Sequence, residues 1–135
     1  MSEQDNVQVA QQFVQSILNR DPAGVMPLCT EDVVLVSPGP KELLPWAGEY
    51  HGPQGVVQYY TALAQGMEMT GAELEGVIAQ GDKVAVLGHH HGRIRATGKS
   101  YDLSWAQIWT FRAGKIASMR YYHGTYLVAQ AARSG

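Results

Sequence analysis

The sequence predicts an α+β domain with helices laid on one face of a strongly curved antiparallel sheet. Apolar residues recur at helical spacing over residues 2–20 and again after Pro53. From residue 68 onward the period becomes two, in four runs separated by Gly-containing dipeptides that suit hairpin turns. The order helix, helical turn, strand, helix and then four strands belongs to the layered α+β class. At 135 residues the chain is one domain, spanning 1–135, with one core.

The first helix is read over residues 2–20, with Val7, Ala10, Val14, Ile17 and Leu18 on one face and Phe13 beside them. Ser2 and Asp5 have capping-box spacing, and Asp21-Pro22 stops the helix. A second helical turn covers 23–28, and Val33 to Val36 form a short buried strand. Ser37 to Gly52 holds three prolines and three glycines and reads as a long loop, of the length that is usually functional. Trp46 and Tyr50 within it are too apolar to leave in water, so the loop is expected to fold back as a lid. Pro53 opens a helix that carries Val56, Val57, Tyr60, Leu63 and Ala64 on one face, and Gly66 ends it. Strands follow over 68–80, 83–96, 100–112 and 115–123, and a last helix is expected over 124–133. A sheet curved enough to wrap a helix encloses a conical cavity, a natural small-molecule site.

Composition narrows the function. Ten Lys+Arg against twelve Asp+Glu give a formal charge of −2, which offers no basic field for nucleic acid. A single cysteine, Cys29, excludes an intramolecular disulfide and a cysteine-based zinc site. No apolar run approaches the ~18 residues of a membrane span. The acidic, polar start at residues 1–6 is unlike a secretory signal, so a cytoplasmic location is expected.

Alternation selects the side chains that enter the cavity. Val84, Val86, Gly88, His90, Gly92 and Ile94 share an apolar face, whereas His89, His91, Arg93 and Arg95 lie on the other. His90 therefore points inward, and the two glycines leave space beside it for a ligand. His89, His90 and His91 cannot converge on one ion from a strand, because the middle one faces away from its neighbours; no metal and no cofactor is expected. In the next strand Leu103, Trp105, Gln107, Trp109 and Phe111 share a face, and Gln107 needs a partner there. In the last, Met119, Tyr121 and His123 share a face. The candidate catalytic set is His90, His123, Gln107 and Tyr121. The expected pocket walls are Trp105, Trp109, Leu103, Trp46, Tyr50, Ser37, Leu35, Tyr60 and Phe13. Histidine takes and returns protons near neutral pH, and two in a dry pocket would divide into acid and base. Gln107 or Tyr121 would hold a developing oxyanion. Hydrogen-bonded structural roles for the same polar groups stand beside this reading.

Several segments carry a family resemblance: Glu49 to Val57 entering the third helical segment, Ala96 to Tyr101, Phe111 to Ile116, and Met119 to His123. With the amphipathic first helix, they make the chain resemble the SnoaL-like branch of the NTF2-like superfamily along essentially its whole length. The resemblance implies a cone with a pocket, commonly in a homodimer, and members that include ketosteroid isomerases, polyketide cyclases and limonene-type epoxide hydrolases. The stretch 97–116 is similar to the last of these. Their Arg-x-Asp pair, however, falls on Gly88 and His90, and their later aspartate on His123. Epoxide hydrolysis by that mechanism is not implied. Polyketide cyclases also tend to carry an aspartate where His123 stands. The same registry places Ser37, Leu103 and Trp105 in the pocket.

The reading that results is a pocket for a small hydrophobic, carbonyl-bearing molecule, with acid–base chemistry of isomerase, cyclase or dehydratase type. The alternative is a non-catalytic ligand-binding or interaction domain. A homodimer is expected, because the outward row around Ile108 wants cover.

Overall fold

The computed structural model describes residues 2–123 and 130–133. Helix α1 spans Glu3–Leu18 and is followed by a 3-10 helix over Pro22–Leu28. Strand β1 is Cys29–Ser37, β2 is Gly48–His51 and helix α2 is Gly52–Gly66. The remaining strands are β3 (Met67–Gln80), β4 (Lys83–Ile94), β5 (Ser100–Arg112) and β6 (Lys115–His123). Residues 130–132 are helical, and the rest of the helix expected over 124–133 lies outside the described residues.

All six strands form one sheet in the order β2-β1-β6-β5-β4-β3. β3 to β6 are an antiparallel meander, as the turn dipeptides predict, and β1 joins β6 in parallel. The stretch 37–52 is not all loop. Gly48–His51 pairs antiparallel with Val34–Ser37, because β1 would otherwise leave an unpaired edge along its outer side. β1 is also longer than the apolar run Val33–Val36, since backbone pairing with β6 reaches back to polar residues as far as Cys29.

Both helices pack on the concave face, α1 against β3 and β4 and α2 against β1 and the 3-10 helix. The capping box at α1 is complete: the Ser2 hydroxyl accepts from the Asp5 N–H and the Asp5 carboxylate from the Ser2 N–H, each at 3.1 Å. The bond from the Ser2 N–H holds the Asp5 carboxyl below its ordinary pKa. α1 begins one residue later and ends two earlier than the sequence suggests. Its buried stripe is Asn6, Ala10 and Phe13, while Leu18 in the last turn stays 44% exposed. A Glu3 carboxylate oxygen accepts from the Gly81 N–H at 2.6 Å, tying the helix start to the β3–β4 turn.

Curvature comes from β3, whose pairing with β4 shifts register between Met69 and Gly71 and again between Leu74 and Gly76. The space expected from the two glycines beside His90 is filled. A Cβ on Gly88 would lie 2.2 Å from the Trp105 ring, and one on Gly92 would lie 1.9 Å from the Glu68 carbonyl oxygen. The glycines therefore let an indole and a neighbouring strand close in on β4. Gly92→Ala is expected to push β3 away and cost about 1–3 kcal/mol. Gly76→Ala, whose Cβ would meet only Leu87 at 3.7 Å, should stay within about 0.5 kcal/mol of the parent. Urea denaturation of both variants measures the contrast.

Candidate functional site

The buried face of β4 is Val84, Val86, Gly88, His90, Gly92 and Ile94, and that of β5 is Tyr101, Leu103, Gln107, Trp109 and Phe111, with Trp105 half-buried among them. His90 thus enters the concave face, 8% exposed. Its Nδ1 lies 2.9 Å from the Tyr101 hydroxyl, and the two rings meet edge to face. His89 and His91 remain on the convex face, where His89 pairs with Asp102 and His91 with the Thr70 hydroxyl. Among the described residues no group of three or more His, Cys, Asp or Glu could hold a metal ion.

A second polar cluster faces His90 across the chamber. The Tyr60 and Tyr121 hydroxyls lie 3.0 Å apart, and Tyr59 meets Ser37 at 3.2 Å. The Tyr59, Tyr60 and Tyr121 rings pack against one another, with Phe13 edge-on to Tyr60 and Trp109. Gln107 accepts from the Trp109 indole N–H at 2.7 Å, so the amide in the aromatic row has the partner it requires. Burial drives all three phenols up in pKa. Tyr60 rises to about 12, against hydrogen bonds from Tyr121 and Gln107 that pull the other way. For Tyr59 burial and then Tyr60 raise it, against hydrogen bonds with Ser37 and Tyr121; for Tyr121 burial and the neighbouring Tyr60 and Tyr59 act together. Burial also raises Tyr101 to about 12. These hydroxyls therefore stay protonated at neutral pH and serve as donors.

Two small cavities lie between the clusters. One of about 70 Å³ is lined by Phe13, Tyr60, His90, Gln107, Trp109 and Tyr121, among others. The other, about 20 Å³, is lined by Trp46, Tyr59, Met67 and Leu103. Leu63, His90, Trp105 and Tyr121 are walls of both, which makes them two parts of one chamber.

Most of the predicted set converges here: His90, Gln107, Tyr121, Trp105, Trp109, Leu103, Trp46, Tyr60 and Phe13. Three members stand apart from the cavity walls. Leu35 is fully buried core, Ser37 supports Tyr59 from behind, and Tyr50 donates to the Trp46 carbonyl at 2.8 Å. His123 ends β6 with its Cα paired to that of Trp105; its side chain lies outside the described residues. Sequence reasoning missed Tyr59 and Tyr101. Tyr101 extends the period-two row of Leu103 and Trp105 by one step, and Tyr59 sits three residues after Val56 on the buried helix face. Cys29 is buried, and burial pushes its thiol up to about 11, as befits a small core residue.

The family model of the SnoaL-like domain matches residues 10–119. The chain belongs to the SnoaL-like family. Solved structures agree with the fold of this SnoaL-like domain. An NTF2-like protein from Burkholderia xenovorans LB400 is 28% identical with a TM-score of 0.88, covering 98% of this chain and 99% of that one. One from Burkholderia thailandensis E264 is 27% identical with a TM-score of 0.85, over 98% and 99% of the two chains. TerC, co-crystallised with polyporic acid, is 23% identical with a TM-score of 0.79, over 95% and 98%. A comparison with curated proteins returns no match. No helix among the described residues is long and apolar enough to cross a membrane.

The buried phenols fix a pH dependence. Their folded-state pKa values exceed the unfolded value of about 10, so the stability they contribute is complete below that pH. It is lost as pH rises through the value of about 12 held by Tyr60 and Tyr101. An absorbance titration of phenolate should show tyrosines ionising later in the native protein than in urea, with unfolding following their ionisation.

Proposed function

We propose that this SnoaL-like domain takes a small, largely apolar, carbonyl-bearing molecule into the chamber and catalyses proton transfer on it, as an isomerase, cyclase or dehydratase does. One observation carries the reading: His90, buried and held at Nδ1 by Tyr101, lines the same cavities as Tyr121, whose hydroxyl is bonded to that of Tyr60. An imidazole exchanges protons near neutral pH. A phenol held neutral by burial gives a hydrogen bond to a developing oxyanion without losing its proton, and low surrounding polarity strengthens that bond. Gln107 acts behind them, anchoring Trp109 and meeting Tyr60. His123 is the proposed acid–base counterpart of His90; its Cα pairs with that of Trp105. Proton transfer of this kind draws on imidazole and phenol groups alone.

The cavities of about 70 and 20 Å³ are far smaller than the ~300–1,000 Å³ of typical ligand pockets. Trp105, half-buried and a wall of both, is the side chain whose movement joins them, and the segment over residues 37–50 with Trp46 and Tyr50 forms the cover. The TerC structure with polyporic acid supports a small organic ligand for this fold. A second reading, binding without turnover, is favoured by the way the tyrosine hydroxyls already satisfy one another. On the convex face Ile78, Ile108 and Tyr122 are exposed, and a second copy of the chain is the proposed cover.

A panel of cyclic β,γ-enones and 1,3-diketones in D₂O, followed by NMR for exchange at the carbon next to the carbonyl, tests the catalytic reading. Wild type should accelerate exchange. His90→Gln should lower that rate by about 10²–10⁴-fold and Tyr121→Phe by about 10²–10³-fold. Binding without turnover predicts quenching of tryptophan fluorescence by the same compounds, unchanged in His90→Gln, and no exchange above buffer. Light scattering at micromolar concentration should give the mass of a dimer, and a monomer there would remove that proposal.

A further inference from the structure

We infer that Tyr101 is a positioning residue that donates its phenolic proton to Nδ1 of His90, fixing the ring in the tautomer whose Nε2 carries the proton. The geometry begins with register. His90 pairs with Leu103 and Gly92 with Tyr101, so His90 and Tyr101 are diagonal neighbours on one face of the β4–β5 ladder. Aromatic side chains can meet across that diagonal. Gly92 offers no side chain opposite Tyr101, and its own Cβ position is taken by the β3 backbone at Glu68. The phenol ring reaches along the diagonal to His90. The ring centroids are 5.3 Å apart with planes at 79°, and oxygen and Nδ1 stand 2.9 Å apart, with Tyr101 6% and His90 8% exposed.

Two arrangements of one hydrogen fit that distance, and chemistry separates them. The unprotonated imidazole nitrogen holds its lone pair in the ring plane, outside the aromatic system, and is a strong acceptor. The phenol oxygen shares its lone pairs with its ring and is a weak one. Away from water, the pair takes the arrangement of better donor and better acceptor. Burial also keeps the proton on Tyr101, whose pKa rises to about 12. The ring is then a donor at Nε2. In the proton-transfer reading, on which the catalytic meaning of this inference rests, His90 gives a hydrogen bond from its Nε2–H to the substrate oxygen together with the Tyr121 hydroxyl and keeps its proton. The base is a separate group.

The test needs no substrate. Protein labelled with ¹⁵N at histidine is recorded at about pH 8, where an ordinary histidine is neutral, and the His90 signals are identified by their loss in His90→Gln. The expected spectrum of the wild type shows Nδ1 as the unprotonated, pyridine-type nitrogen and Nε2 as the protonated, pyrrole-type one. In Tyr101→Phe the two shifts should move toward each other as the tautomers mix, with the backbone spectrum otherwise retained. A protonated Nδ1 in the wild type overturns the inference, and so do unmoved His90 shifts in Tyr101→Phe. If that variant fails to fold, the wild-type spectrum still decides. Retained proton exchange by His90→Gln would instead remove the catalytic reading and leave the tautomer assignment intact.

Discussion

The pairing register of β4 against β5 is the constraint on which the site depends. Side chains alternate across a strand, so a slip of one residue would turn His90 out and bring His89 and His91 into the core. The apolar row Val84, Val86 and Ile94, only 0%, 0% and 3% exposed, opposes that slip, because its members would be exposed by it. The glycines reinforce the same choice. Gly88 accepts the Trp105 ring and Gly92 accepts the β3 backbone, and neither site would admit a side chain. Register therefore fixes which histidine meets Tyr101, which residues wall the chamber, and which basic groups remain on the convex face.

A concave face carrying this many polar groups is stable only when they bond to one another. Here the phenols and Gln107 do so in two clusters on opposite sides of a narrow chamber, one around His90 and Tyr101 and the other around Tyr59, Tyr60 and Tyr121. Burial gives the clusters complementary abilities. Phenols kept from ionising are donors, and an imidazole beside them is a group that exchanges protons. In the proposed function the arrangement serves a small molecule whose oxygen gains charge during reaction. Phe13, Trp105 and Trp109 line the space between the clusters and keep the chamber narrow.

Much of this was legible in the sequence because period-two alternation is a direct consequence of strand geometry. The inward rows of β4 and β5, the isolation of His90 from its histidine neighbours and the burial of Gln107 all follow from it. The family resemblance carried the fold to the same place. Features set by tertiary pairing were not legible. Gly48–His51 has no apolar pattern of its own and becomes a strand because β1 has an edge to fill. Gly88 and Gly92 read as open space, yet the sequence holds no sign that Trp105 and β3 occupy it. Tyr59 was hidden beside Tyr60, since adjacent residues on a helix face different neighbours, and only packing shows that both turn toward Tyr121.

In the proposed function the space between His90 and Tyr121 receives a carbonyl compound once Trp105 moves. A crystal structure of the protein soaked with acetophenone, a small aromatic ketone, tests it most directly. The ketone is expected in the chamber, its oxygen within hydrogen-bond distance of the Tyr121 hydroxyl and its ring where the Trp105 indole now lies. An unchanged chamber, with the ketone absent or seated in the convex groove beside Leu87 and Tyr122, would contradict it.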